Sequence, residues 1–249
     1  MNVRGTSTHH RMFARLASGP IAALALTLCV GFSAVPVGSA GQEPVIDSNG
    51  ALKLLKEGNQ RFKDFKLEHP NLDRKRRDYL ANENVKQKPF AVIFACTDSR
   101  VPPELVFDRG LGDLFIIRTA GQVLDSAALG TIEYGVAYLG APLIVVLGHK
   151  GCGAVSATIE ATKEPGSAAE GYQASLVNGI RPAVERARRR GGRPDQLLEN
   201  AVRENIALGV EQLKTSKVLA DAVRRDKDKL RIVGAYYDLS SGAVDFTVP

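Results

Sequence analysis

Two apolar runs, Phe90 to Ala95 and Leu143 to Leu147, each break off sharply into polar residues. Short continuous runs of this kind are strands buried on both faces, as in a parallel sheet. A third strand, Asp113 to Arg118, lies between them, with helical stretches near Pro103 to Phe107 and Ser126 to Leu139. Such alternation of strand and helix predicts a parallel sheet with helices on its faces. Upstream, Asp47 or Ser48 can cap a helix in which Leu52, Leu55 and Phe62 recur at roughly helical spacing, and the charged stretch Asn71 to Lys88 follows. Downstream, Ala154 to Ala161 and Gln173 to Arg190 read as helices, separated by a loop rich in small residues near Pro165 to Gly171. Asp195 to Ser216 is a further helix, and Leu230 to Asp238 with Ala243 to Val248 flank Ser240-Ser241-Gly242 as a hairpin. The expected architecture is α/β: a mainly parallel central sheet flanked by helices, with an N-terminal helical arm and a C-terminal β-hairpin.

The first 40 residues follow none of these patterns. They hold Arg4, Arg11 and Arg15 but no acid, then the apolar run Ile21 to Val35, then small residues through Gly38-Ser39-Ala40. The run is too short for a bilayer span and ends in a small-x-small site, which predicts a secretory signal cleaved after Ala40. A retained anchor is the competing reading. The organisation expected is a signal peptide at 1–40 and one catalytic domain at 41–249, exported to the periplasm or beyond, with no stable membrane insertion after cleavage. Bulky Leu28 before Cys29 does not suit a lipoprotein signal, and no paired arginines mark export of a folded protein.

Removing that segment lowers the basic residues from 33 to 30 against 27 acids, so a net charge of +6 becomes +3, too mild to argue for nucleic acid. It also leaves two cysteines, Cys96 and Cys152, and two histidines, His69 and His149. Both cysteines stand at the ends of the buried runs, in Cys96-Thr97-Asp98-Ser99-Arg100 and His149-Lys150-Gly151-Cys152. Carboxyl ends of parallel strands are where ligands bind. Two thiolates and an imidazole satisfy three positions of the tetrahedron Zn²⁺ prefers, leaving the fourth for water or for Asp98. Three protein ligands with an open position point to chemistry, since bound zinc lowers the pKa of a water toward about 7. Asp98 can either orient such a nucleophile or ligate the metal, and Arg100 can hold it off the metal by a bidentate pair. A Cys96 to Cys152 disulfide is the alternative that an oxidising compartment favours, but it has no use for His149 or Asp98.

Cys96-Thr97-Asp98-Ser99-Arg100-Val101-Pro102-Pro103-Glu104, Arg118-Thr119-Ala120-Gly121, Ile132-Glu133-Tyr134 and Val146-Leu147-Gly148-His149-Lys150-Gly151-Cys152-Gly153-Ala154-Val155 together resemble the β-class carbonic anhydrases. The similarity runs from about Ala51 to the C-terminus. It implies one Zn²⁺ per chain held by Cys96, His149 and Cys152, a catalytic pair Asp98 and Arg100, and Asp98 as a conditional fourth ligand. It implies reversible hydration of CO₂ to bicarbonate and a proton. Gln87 matches the position that hydrogen-bonds bicarbonate; Phe115 and Tyr134 match positions lining the CO₂ pocket, and these three typically come from the neighbouring subunit. Ala120 and Gly121 fit a tight pocket wall, and the Gly153 amide fits an anion donor. A homodimer or dimer of dimers follows from the same resemblance.

The chain departs from the family pattern in places. Lys150 stands where serine is frequent and Gln122 where asparagine is frequent, and the absence of tryptophan removes a noncatalytic bicarbonate site known in some members. Arg186, Arg188, Arg189 and Arg190 form a basic run that reads as a solvated helix face. Two alternatives to CO₂ hydration stay open from sequence: hydrolysis of carbonyl sulfide or carbon disulfide on the same scaffold, and noncatalytic zinc binding.

Overall fold

The computed structural model describes residues 46–164, 171, 173–225 and 230–247. The expected export segment, most of the loop at 165–171 and the last residues of the hairpin lie outside them. Helix α1 (Ser48–Lys63) opens on Asp47, whose carboxylate accepts from Gly50 N at 2.6 Å. It buries Ala51, Leu52 and Leu55 against one face of the sheet. Helix α2 (Arg74–Leu80) follows, capped by Asp73 and without a buried residue. It falls within the charged stretch Asn71 to Lys88, where a helix that buries no side chain has no apolar period to detect.

The sheet and its covering helices come next in chain order: β1 (Ala91–Cys96), α3 (Pro103–Val106), β2 (Leu114–Thr119), a 3₁₀ turn at Ala120–Gln122, α4 (Ser126–Ala137), β3 (Leu143–His149) and α5 (Gly153–Ala161). Then come α6 (Gln173–Arg190), α7 (Leu197–Thr215), α8 (Lys217–Arg225), β4 (Arg231–Tyr237) and β5 (Val244–Thr247). Strand order is β2-β1-β3-β4-β5, with β1 to β4 parallel and β5 antiparallel to β4. The mixed α/β layering and the C-terminal hairpin are those expected. Helix α8 was not expected: the sequence pattern runs the preceding helix through Ser216, which instead caps α8 by accepting from Leu219 N. Helix α7 starts two residues later than expected, after a 3₁₀ turn at Pro194–Gln196.

Alternation along the strands sorts side chains into two cores. Val92, Phe94 and Cys96 of β1 face the layer that holds α4 to α7, while Ala91, Ile93 and Ala95 face the layer with α1 and α3. Strands β1 and β3 are buried along their whole length, which is why they read as unbroken apolar runs. The chain leaves β1 for β2 on one side, then crosses back to place β3 on the other. The crevice between the carboxyl ends of β1 and β3 is therefore the switch point at which such sheets bind ligands. Pairing of Ala95 with Leu147 carries Cys96 and His149 to that same edge. No helix among the described residues is long and apolar enough to cross a membrane.

Candidate metal centre

Cys96 is the last residue of β1, His149 the last of β3, and Cys152 the residue immediately before α5, at its N-cap. One donor atom from each lies within 4.8 Å of the other two, and all three side chains are buried. Cys96 Sγ and Cys152 Sγ are 4.0 Å apart and both cysteines are free thiols. That is about twice the length of a disulfide bond. His149 Nδ1 lies 3.0 Å from Lys150 O, a contact in which the ring N–H donates to the carbonyl. Nε2 is left buried with no hydrogen-bond partner, 3.8 Å from Asp98 Oδ2. A buried imidazole nitrogen of this kind is costly unless something accepts its lone pair. Two sulfurs beside it make a donor set suited to Zn²⁺, so the residues fit the metal.

The electrostatics also favour a cation. Facing Cys152 pulls the Cys96 thiol down to about 4, with burial opposing it and His149 and the Gly121 amide helping. The same contact, together with burial, pushes the Cys152 thiol up, so the pair holds one proton between them. A dication relieves that conflict by taking both sulfurs as thiolates. Gly121 N donates to Cys96 Sγ at 3.3 Å, and amides of the first turn of α5 face Cys152.

Asp98 sits just beyond β1. Arg100 Nε donates to Asp98 Oδ1 at 2.9 Å and Arg100 Nη2 to Oδ2 at 2.7 Å, while the Arg100 amide reaches Oδ1 at 3.0 Å. This planar pairing holds the Asp98 carboxyl well below the usual carboxylate range. Gly121 adopts φ 62°, and a Cβ there would lie 2.6 Å from Ile180 Cδ1, so Ala120-Gly121 forms a close wall beside Cys96. Asn205 of α7 fixes that turn, its Nδ2 donating to Gly121 O at 2.7 Å. Sequence reading passed over Asn205. The signal was a buried amide on the apolar stripe of α7.

The pocket candidates are placed differently. Gly153 is the first residue of α5 and exposed, with open space where a Cβ would point. Gln87 is exposed in the loop before β1. Phe115 of β2 is half-buried and contacts Tyr134 of α4 at 6.2 Å between ring centres, and Tyr134 stacks on Tyr138 at 5.2 Å. Tyr134 and Tyr138 are 45% and 80% exposed, so this aromatic ladder opens outward rather than into the chain's own core. The structure thus gathers Cys96, Asp98, Arg100, Gly121, His149 and Cys152 and leaves Gln87 and Tyr134 at the surface.

A family model described as carbonic anhydrase matches residues 91–244. Carbonic anhydrase 2 of Mycobacterium tuberculosis is 44% identical over 193 residues, covering 77% of this chain and 89% of that protein. The carbonic anhydrase of Mycolicibacterium smegmatis is 42% identical over 197 residues, covering 78% and 91%. Among solved structures, the Coccomyxa β-carbonic anhydrase in complex with acetazolamide superposes with a TM-score of 0.60 at 25% identity, covering 78% of this chain and 85% of that one. A tetrameric β-carbonic anhydrase of Sordaria macrospora has a TM-score of 0.61 over 76% of this chain and 93% of that one; at 19% identity it shows the fold alone. The chain belongs to the β-class carbonic anhydrases, a family of enzymes.

Proposed function

We propose that the protein catalyses the zinc-dependent, reversible hydration of CO₂ to bicarbonate and a proton. One observation carries this reading: a buried, unpartnered His149 Nε2 beside two free thiols, with a carboxylate held 3.8 Å away by a bidentate arginine. Cys96, His149 and Cys152 would hold Zn²⁺, whose Lewis acidity when bound lowers the pKa of a water toward about 7. The Lys150 carbonyl fixes the imidazole tautomer so that Nε2 is the donor. Asp98, kept ionised by Arg100, accepts a hydrogen bond from the nucleophilic oxygen and so aims its lone pair at CO₂. Asp98, 3.8 Å from His149 Nε2, is also placed to take the fourth position if Arg100 releases it.

Gln87, Phe115 and Tyr134 complete the substrate pocket in this reading, supplied to the site of a second copy. The outward placement of Gln87 and of the stacked pair Tyr134 and Tyr138 supports an assembly of at least two chains. The bicarbonate formed would be met by Gln87 and by the Gly153 amide, an orphan donor in the first turn of α5. We further propose that residues 1–40 direct export and are cleaved after Ala40. Stopped-flow hydration of CO₂ by the zinc-loaded protein tests the central claim. Folded, zinc-loaded protein with no hydration above buffer, or an active form carrying a Cys96–Cys152 disulfide and no zinc, overturns it.

A further inference from the structure

Arg118 is the last residue but one of β2, paired across the ladder with Ala95. Its Nε donates to Cys96 O at 2.9 Å and its Nη2 donates to Asp98 O at 2.6 Å. One planar group therefore holds both ends of the segment Cys96-Thr97-Asp98. The loop is tied at two further points, Thr97 N to Thr119 O at 3.2 Å and Val101 N to Asp98 O at 3.0 Å. Those two bonds belong to backbone geometry that any sequence supplies. The Arg118 fork is a side-chain contribution from a neighbouring strand, and its rigid guanidinium spans two carbonyls at once.

We infer that Arg118 is a positioning residue for the proposed hydration: by gripping the Cys96 and Asp98 carbonyls it sets where the Asp98 carboxylate stands relative to the metal ligands. The inference rests on the reading above. Arg118 touches neither substrate nor the reacting oxygen; it acts through the segment that carries one sulfur ligand and the orienting carboxylate. Arg100 fixes the direction of the Asp98 side chain, and Arg118 fixes the backbone from which that side chain starts. Misplacement on the order of 1 Å costs up to about 100-fold in rate, so loss of this grip is expected in turnover more than in substrate affinity.

The test compares Arg118→Met, which keeps an unbranched stem but no donor, with Arg118→Lys, whose ammonium is a compact point donor. Each is loaded with zinc for kinetics and with cobalt(II) for visible absorption. Folded, metal-loaded Arg118→Met should lose about 10- to 100-fold in kcat with KM within about two-fold. Arg118→Lys should recover part of the loss, and the cobalt band of Arg118→Met should change in position or intensity because the Cys96 backbone has lost its anchor. A kcat within about two-fold of the parent together with an unchanged cobalt spectrum overturns the inference. If Arg118→Met does not fold or hold metal, Arg118→Lys decides alone: full kcat and the parental cobalt spectrum count against positioning, and a selective loss of kcat supports it. If the parent itself fails to hydrate CO₂, the proposed reaction falls, while the cobalt spectra still decide whether Arg118 shapes the ligand segment.

Discussion

Asp98 can turn to the guanidinium of Arg100 or to the metal, and here each of its carboxylate oxygens accepts from Arg100. Arg100→Ala should free it to take the fourth position, seen by zinc-edge X-ray absorption as an added carboxylate oxygen ligand. Asp98→Ala should keep zinc, since Cys96, His149 and Cys152 persist, but lose about 10- to 100-fold in turnover because the nucleophile has no orienting acceptor. Unchanged coordination in the first variant and undiminished hydration in the second would remove both roles. Gly121 makes a separate prediction from packing. Its φ of 62° and the 2.6 Å approach of Ile180 Cδ1 leave no room for a methyl group. Gly121→Ala should lower stability by about 2–3 kcal/mol. Thermal melting of the metal-loaded protein reads this as a drop of about 5 °C or more.

At the level of elements, the strands were legible because burial on both faces removes polar positions, so β1 and β3 could be read as apolar runs within two residues of their ends. Helices with an apolar stripe, such as α1, α6 and α7, were legible for the related reason. Helices α2 and α8 were not, since the first buries nothing and the second is separated from α7 by a single residue. That residue, Ser216, joins three helices: its hydroxyl donates to Glu133 of α4 at 2.6 Å and accepts from Leu219 N of α8 at 3.2 Å. Ser216→Ala should cost about 1–2 kcal/mol, through the lost cap and a Glu133 carboxylate short of a partner. Urea unfolding with an unchanged midpoint would show that α8 needs no such link.

For the whole molecule, the proposed assembly sets Gln87 and Tyr134 beside another chain's metal centre. Mixing inactive Cys96→Ala chains with inactive Gln87→Ala chains should restore activity through mixed dimers, each with one intact composite site. Random pairing limits the recovery to roughly a quarter of the parental activity per chain. Monomers, isolated by dilution, that hydrate CO₂ at the full rate would show that each chain is complete. The proposed export makes a second prediction at this scale: intact-mass measurement of the protein recovered outside the cytoplasm should find a chain beginning near Gly41, and metal analysis one zinc per chain.

Residue type alone pointed to a metal site: two thiols and one imidazole, placed after two buried runs, can be read as ligands without any coordinates. It also determined the layers, because hydrophobic period follows directly from burial. Only the tertiary structure decided which backbone atoms serve those ligands. The Lys150 carbonyl on His149, the Gly121 amide on Cys96 and the Arg118 fork across two carbonyls are contacts of main-chain groups, which every residue carries and no letter distinguishes. The outward turn of Tyr134 belongs to the same class: an aromatic residue on a helix reads equally well as core, and the packing of α4 beside the edge strand β2 sets the face on which it stands.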